Sequence, residues 1–164
     1  MSRGRTIIFE EEQTEFAGVS KRLIMETYAK AVFVVDVDGQ LISEVGETAG
    51  IDTTGLASLV AGSTAATGGL AKMLGEEEFP VHFHEGRSNH LHVSLIQESI
   101  ILVVVFDERS SLGLVRLRVK RAYGDMERIL AQVEERSRQA SRETMDLFGD
   151  ITDDEIDSLF GDAF

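Results

Sequence analysis

The order of apolar patterns along the chain predicts an α/β (α+β) fold: a five-stranded antiparallel sheet sandwiched by helices, followed by an acidic helical tail. Three observations carry this. The patterns run helix, two strands, helix, three strands, helix. Two of the strand segments, 31–35 and 100–106, are apolar at every position, so both of their faces need cover and the two are expected to be neighbours. The remaining strands are joined by short turns, which suits antiparallel pairing with helices on both faces.

Residues 10–29 read as the first helix, with Phe16, Val19, Leu23, Ile24 and Tyr28 at helical spacing among Glu, Lys and Arg. Strands at 31–35 and 40–45 flank Asp36-Val37-Asp38-Gly39 and form a hairpin whose turn closes on glycine. Asp52-Thr53-Thr54 can cap a helix beginning near Thr54, running to about Leu74 and stopping at Gly75. Two strands, 79–84 and 89–96, are joined around Glu85-Gly86-Arg87-Ser88, and a tight turn at Gln97-Glu98 leads into the last strand. Residues 111–138 read as a long helix with an apolar stripe from Leu112 to Val133, followed by a polar stretch, Glu134 to Arg142. Thr152 and Glu155 form a capping box, behind which Ile156, Leu159 and Phe160 share one face of a short helix. The expected division is a domain at 1–135, a linker at 136–150 and an amphipathic tail at 151–164.

The totals exclude several classes of function. The 164 residues carry a net charge of −13, which opposes binding to nucleic acid or anionic lipid unless a basic face is segregated. No cysteine is present, so disulfides and thiolate metal sites are excluded. The longest apolar run, Ile100 to Phe106, is far too short to span a bilayer, and the N-terminus has no apolar signal segment; a cytoplasmic address is expected. Charge is also unevenly placed. Arg116 to Arg142 holds eight basic residues against four acids, and the chain from Glu143 onward holds eight acids and no Lys or Arg. Such blocks mark solvated faces and interaction tails more often than catalytic sites.

The candidate chemistry is thin. Gly62 to Lys72 is glycine-rich, but no Lys-Ser or Lys-Thr follows the second glycine and the segment lies inside a helix, so it is not a phosphate loop. The steric reading is stronger: each interior helix glycine costs about 1 kcal/mol relative to alanine, and Ala61, Ala65 and Gly69 form a small-residue stripe that admits a second backbone or packs tightly on the helix's own sheet. The four histidines, His82, His84, His90 and His92, share one sheet face if residue 84 opposes 90. They could then hold Zn²⁺ or Ni²⁺, but no carboxylate alternates with them, and no metal is expected. There is no G-x-S-x-G elbow, and Asp36 and Asp38 read as turn residues. No cofactor and no catalytic residue are assigned.

Several stretches together resemble a known family: Val35-Asp36 and Gly39-Gln40-Leu41-Ile42-Ser43; Ile51-Asp52-Thr53-Thr54 and Leu56-Ala57-Ser58-Leu59; Ala61-Gly62 with Gly68-Gly69-Leu70-Ala71-Lys72; Phe83-His84-Glu85-Gly86; Val105-Phe106-Asp107 with Ser111 to Arg118; and the tail from Asp153 to Phe160. They are similar to the Roadblock/dynein light-chain family, in the bacterial branch that activates the small Ras-like GTPase MglA in cell polarity and motility. The resemblance implies a homodimer in which the second helix packs on its twofold mate. It implies one GTPase per two chains, held by Ser58, Ala61, Gly62, Ala65, Gly69 and Lys72. It further implies that the chain is not itself an enzyme: it reshapes the partner's switch regions rather than inserting an arginine. The C-terminal helix, through Ile156, Leu159 and Phe160, is implied to bind the GTPase away from the nucleotide and to promote exchange. Concentration at a cell pole follows from the same resemblance. The alternative kept open is a scaffold of this fold that binds a GTPase or cytoskeletal protein without stimulating hydrolysis.

Overall fold

A computed structural model of the chain describes residues 7–149 and 151–161. Helix α1 (Glu10–Thr27) precedes a hairpin of β1 (Ala31–Asp36) and β2 (Leu41–Gly46). Helix α2 (Thr53–Met73) follows, then β3 (Val81–Glu85), β4 (His90–Ile96), β5 (Ile100–Phe106), α3 (Leu112–Gly149) and α4 (Asp153–Phe160). The sheet order is β2-β1-β5-β4-β3 and every pairing is antiparallel. The two all-apolar strands β1 and β5 are neighbours at its centre, as expected.

Local chemistry sets the boundaries. Tyr28 takes the left-handed conformation (φ 59°) and its N–H returns to the Ile24 carbonyl at 2.8 Å, so α1 stops two residues short of 29. In the first hairpin Asp36 Oδ1 accepts from the backbone N–H groups of Asp38 and Gln40 at 3.0 and 2.8 Å, and Gly39 has φ +92°. Gln97 and Glu98 both have positive φ, 48° and 52°, the backbone of a two-residue hairpin whose twist matches its strands.

The sheet separates two apolar clusters. On one face α1 and α3 press Phe16, Leu23, Val119, Met126 and Ile129 onto Val32, Val34, Leu102 and Val104. On the other face α2 sets Ala57, Val60 and Ala61 against Phe33, Val35, Ile101 and Val103. Burial of each large side chain contributes about 1.5–3 kcal/mol, so the α1/α3 face carries most of the packing energy and α2, with small inward residues, lies close and light.

Helix α3 departs from the expected end at 138 and runs to Gly149. Its last buried residue is Val133. Arg136 then ties it to the start of α1, reaching the Glu11 and Glu12 carboxylates and lying 5.7 Å from the Phe9 ring centre. Beyond that the helix projects, with Met145, Leu147 and Phe148 exposed.

Candidate functional site

Helix α2 presents the most unusual surface among the described residues. It starts on Asp52, whose Oδ1 accepts from Gly55 N–H at 3.0 Å, and ends before Gly75, where φ is +77°. Within it Lys72 is the single charged side chain. The inward side is Ala57, Val60, Ala61 and Ala71. Outward, at 100° per residue, stand two adjacent stripes. One is small and polar: Ser58, Gly62, Ala65, Gly69 and Lys72, all exposed. The other is large and apolar: Leu59, Leu70 and Met73, exposed at 76, 57 and 84%.

The expected small-residue stripe is therefore divided by the fold. Ala61 faces inward, because the β1–β2 turn crosses the helix there: a Cβ at Gly39 would stand 3.3 Å from Ser58 Cα and 3.6 Å from Ala61 Cβ. Gly62, Gly68 and Gly69 have no such cause. A Cβ at any of them would meet nothing within 4 Å. Three glycines give up about 3 kcal/mol of helix propensity for no packing inside this chain, which leaves something outside it as the reason. Leu59, Leu70 and Met73 stand exposed beside the small stripe, a surface that the small-residue spacing alone does not reveal. The lone charge in the 21 residues of α2 is the signal that could have found them, since a solvated helix face is ordinarily charged.

Beside α2 the same sheet face is left open over β3 and β4. An apolar groove of about 420 Å³ lies there, lined by Leu56, Leu59, His82, His84, Leu91 and Val93, with Asp52 at its end. The strand register corrects the expected histidine face. His84 opposes Leu91 and Glu85 opposes His90; His82 opposes Val93 and Phe83 opposes His92. The pairing is displaced by one residue from 84 against 90, and one residue moves every side chain to the other face. His82 and His84 thus line the groove, ring centres 5.2 Å apart, whereas His90 and His92 face α3, with His90 5.2 Å from the Phe106 ring. Burial, then the neighbouring His84, holds the His82 imidazole below its ordinary pKa, and its Nε2 is buried without a hydrogen-bond partner. Among the described residues no group of three or more His, Asp or Glu side chains could hold a metal, and no helix is long and apolar enough to cross a membrane.

The tail is a separate element. In α4 the Glu155 carboxylate accepts from the Thr152 backbone N–H at 3.0 Å and from its hydroxyl at 3.2 Å, so the expected capping pair is in contact. Asp153, Asp154 and Glu155 occupy the first turn, where the helix dipole favours them. Ile156 and Leu159 are exposed at 44 and 73%; Phe160 lies in the helix, and its side chain is outside the described residues.

Known proteins share this fold. The Roadblock/LC7 domain matches residues 16–106. The structure of Myxococcus xanthus MglB is 50% identical, covering 77% of this chain and 96% of its own, with a TM-score of 0.73. The gliding protein MglB of Thermus thermophilus is 32% identical, covering 79% and 98%, with a TM-score of 0.72. A Roadblock/LC7 domain from Streptomyces avermitilis, 14% identical over 70% of this chain and 97% of its own, shares the fold at a TM-score of 0.64. Among curated proteins none matches. A central five-stranded antiparallel sheet, a light helix on one face, two heavy ones on the other, and half identity to a known member place the chain in the Roadblock/LC7 family, beside the MglB proteins.

Proposed function

We propose that the chain is a homodimeric, non-catalytic regulator of a bacterial Ras-like GTPase of the MglA type, acting as its GTPase activator. The observation that carries the reading is the outward face of α2: glycines with no internal cause next to exposed Leu59, Leu70 and Met73. The apolar stripe and the adjoining groove suit the α2 of a second copy. The small stripe of Ser58, Gly62, Ala65, Gly69 and Lys72, with Ala61 beneath it, then suits the GTPase, one per two chains. Only Ser58 and Lys72 on that stripe can donate to a phosphate, so acceleration comes from placing the partner's own groups for attack by water. The docking core is residues 1–135; the tail, 151–164, joined through 136–150, binds the GTPase away from the nucleotide through Ile156, Leu159 and Phe160 and promotes exchange. The protein works in the cytoplasm and concentrates at a cell pole.

The test is single-turnover GTP hydrolysis by an MglA-type GTPase with and without this protein. Acceleration that saturates near two chains per GTPase is expected, as is its loss in the double variant Ala65→Arg with Gly69→Arg, whose circular dichroism stays unchanged and whose melting temperature does not fall, because both positions are solvent-facing. A double variant that stimulates normally overturns the assignment. Binding without acceleration transfers the same face to a scaffold that holds a GTPase or cytoskeletal protein.

A further inference from the structure

A second outward face is unexplained by any of this. On α3 the residues Gly113, Leu117, Lys120, Arg121, Gly124 and Arg128 fall on one side of the helix at 100° per residue, on the face turned away from the core formed by Val115, Val119, Ala122 and Met126. Leu117 is 62% exposed. A Cβ at Gly124, in the helix interior, or at Gly113 would meet nothing within 4 Å, so neither glycine is required by packing in this chain. The cations differ from their neighbours. Arg118 reaches Glu26 and Arg128 reaches Asp125, but among the described residues no carboxylate lies within ion-pair distance of Lys120 or Arg121. In a chain of net charge −13, two cations without an ion-pair partner among the described residues, beside an exposed leucine and two unneeded glycines, make a cradle for an acidic, amphipathic element.

The chain carries one element of that chemistry. Helix α4 has Asp153, Asp154 and Glu155 in its first turn and Asp157 beyond, with Ile156 and Leu159 exposed. Its acids match Lys120 and Arg121, and its apolar pair matches Leu117. It cannot dock on its own α3. The rigid helix from Arg121 to Gly149 is about 42 Å long at 1.5 Å per residue. The connection from Gly149 to Asp153 spans at most about 14 Å, and Leu159 lies only about 9 Å further along α4. We propose that the Leu117/Lys120/Arg121 face of α3 is a docking site for the α4 tail of a second copy of this chain, linking molecules tail-to-shoulder at low salt.

The experiment uses the full chain and, as probe, a fluorescein-labelled peptide of residues 150–164, with anisotropy read at about 0.05 M and about 0.3 M salt. The peptide is expected to bind saturably and to lose about tenfold in affinity at the higher salt. Lys120→Glu with Arg121→Glu should weaken binding at least about tenfold while melting temperature and stimulation of the GTPase stay at wild-type values. A peptide with Asp153, Asp154 and Asp157 changed to Asn should fail in the same way. In sedimentation at low salt the wild-type weight-average mass should rise with concentration beyond that of the α2-mediated dimer, and that of the charge-reversed chain should stop at the dimer. Equal binding by the charge-reversed chain, or loss of binding in Ala65→Arg with Gly69→Arg instead, would overturn the proposal. The GTPase result is read separately, so failure here leaves the α2 reading standing.

Discussion

His92 makes the stability of this fold depend on pH in a direction and by an amount that the structure sets. The ring sits on β4 between Phe83 of β3 and Val104 of β5 and is 2% exposed. Its nearest hydrogen-bonding group is the Ser94 hydroxyl, 3.4 Å from Nδ1. Burial, then the Arg116 guanidinium, then His82, push its pKa down to about 4 from 6.5. Because the folded pKa lies below the unfolded one, the unfolded chain takes up the proton first. The stability from the neutral ring is therefore fully present above about pH 6.5 and is lost as pH falls toward 4. Linkage between those two values gives a loss of about 1.4 kcal/mol by about pH 5.5, rising to about 3.4 kcal/mol well below pH 4. Urea unfolding of wild type and His92→Leu, at about pH 7.5 and about pH 5.5 and one fixed protein concentration, isolates the effect. Wild type should lose about 1.4 kcal/mol more than the variant between the two pH values. Equal losses in the two proteins would refute the reasoning, as would an NMR titration in which the His92 ring protonates near 6.5.

Four further outcomes are expected. Gly46→Ala should cost about 2 kcal/mol or more by urea unfolding, because φ is +101° and the new Cβ would lie 2.5 Å from the Lys30 carbonyl oxygen. Asp52→Ala should cost about 1 kcal/mol, since its carboxylate caps α2 at Gly55. Gly62→Ala should raise chain stability by about 0.5–1 kcal/mol while weakening GTPase binding; a fall in stability would show that the glycine serves the chain's own packing. Self-association through the groove should weaken as pH falls through the histidine range, because closing it dehydrates His82, whose imidazole burial already holds below its ordinary pKa and beside which Asp52 is the one charged side chain on the groove wall among the described residues. Sizing of wild type and of His82→Leu across that range checks this, the variant being the flatter of the two.

The sheet and its central strands were legible because β1 and β5 are apolar at each position from 31 to 35 and from 100 to 106, a pattern only doubly covered strands carry. The caps at Asp52 and Thr152 and the turn at Gln97-Glu98 are local chemistry and were equally readable. The histidine register was not. Alternation along β3 and β4 fixes which residues share a face within each strand, but the offset between strands depends on the Gly86 to Asn89 connection, and one residue there reverses the outcome. The length of α3 was hidden for another reason. Past Val133 it has no core to bury: beyond the Arg136 tie to Glu11 and Glu12, its side-chain support among the described residues is short-range, Arg138 with Glu135 at 3.1 Å and the Gln139 amide donating to the Glu135 carboxylate at 3.3 Å. On α2, the small stripe was visible in sequence, but its division at Ala61 follows from the β1–β2 turn lying across the helix, a contact between distant parts of the chain.

The projecting end of α3 makes azimuth and distance separable quantities for whatever the tail meets. A coil between Val133 and Thr152 would let the tail sample a sphere; a helix works as an indexed shaft, with Gly149 about 24 Å beyond Val133 and the bearing of its last turn set by the residue count. Inserting one residue after Ser141 turns that bearing by about 100° and lengthens the shaft by only about 1.5 Å. Removing seven residues shortens it by about 10 Å and leaves the bearing within about 20°. A partner that reads the direction of the tail will be lost by the first change and kept by the second, and one that reads only its reach will show the opposite.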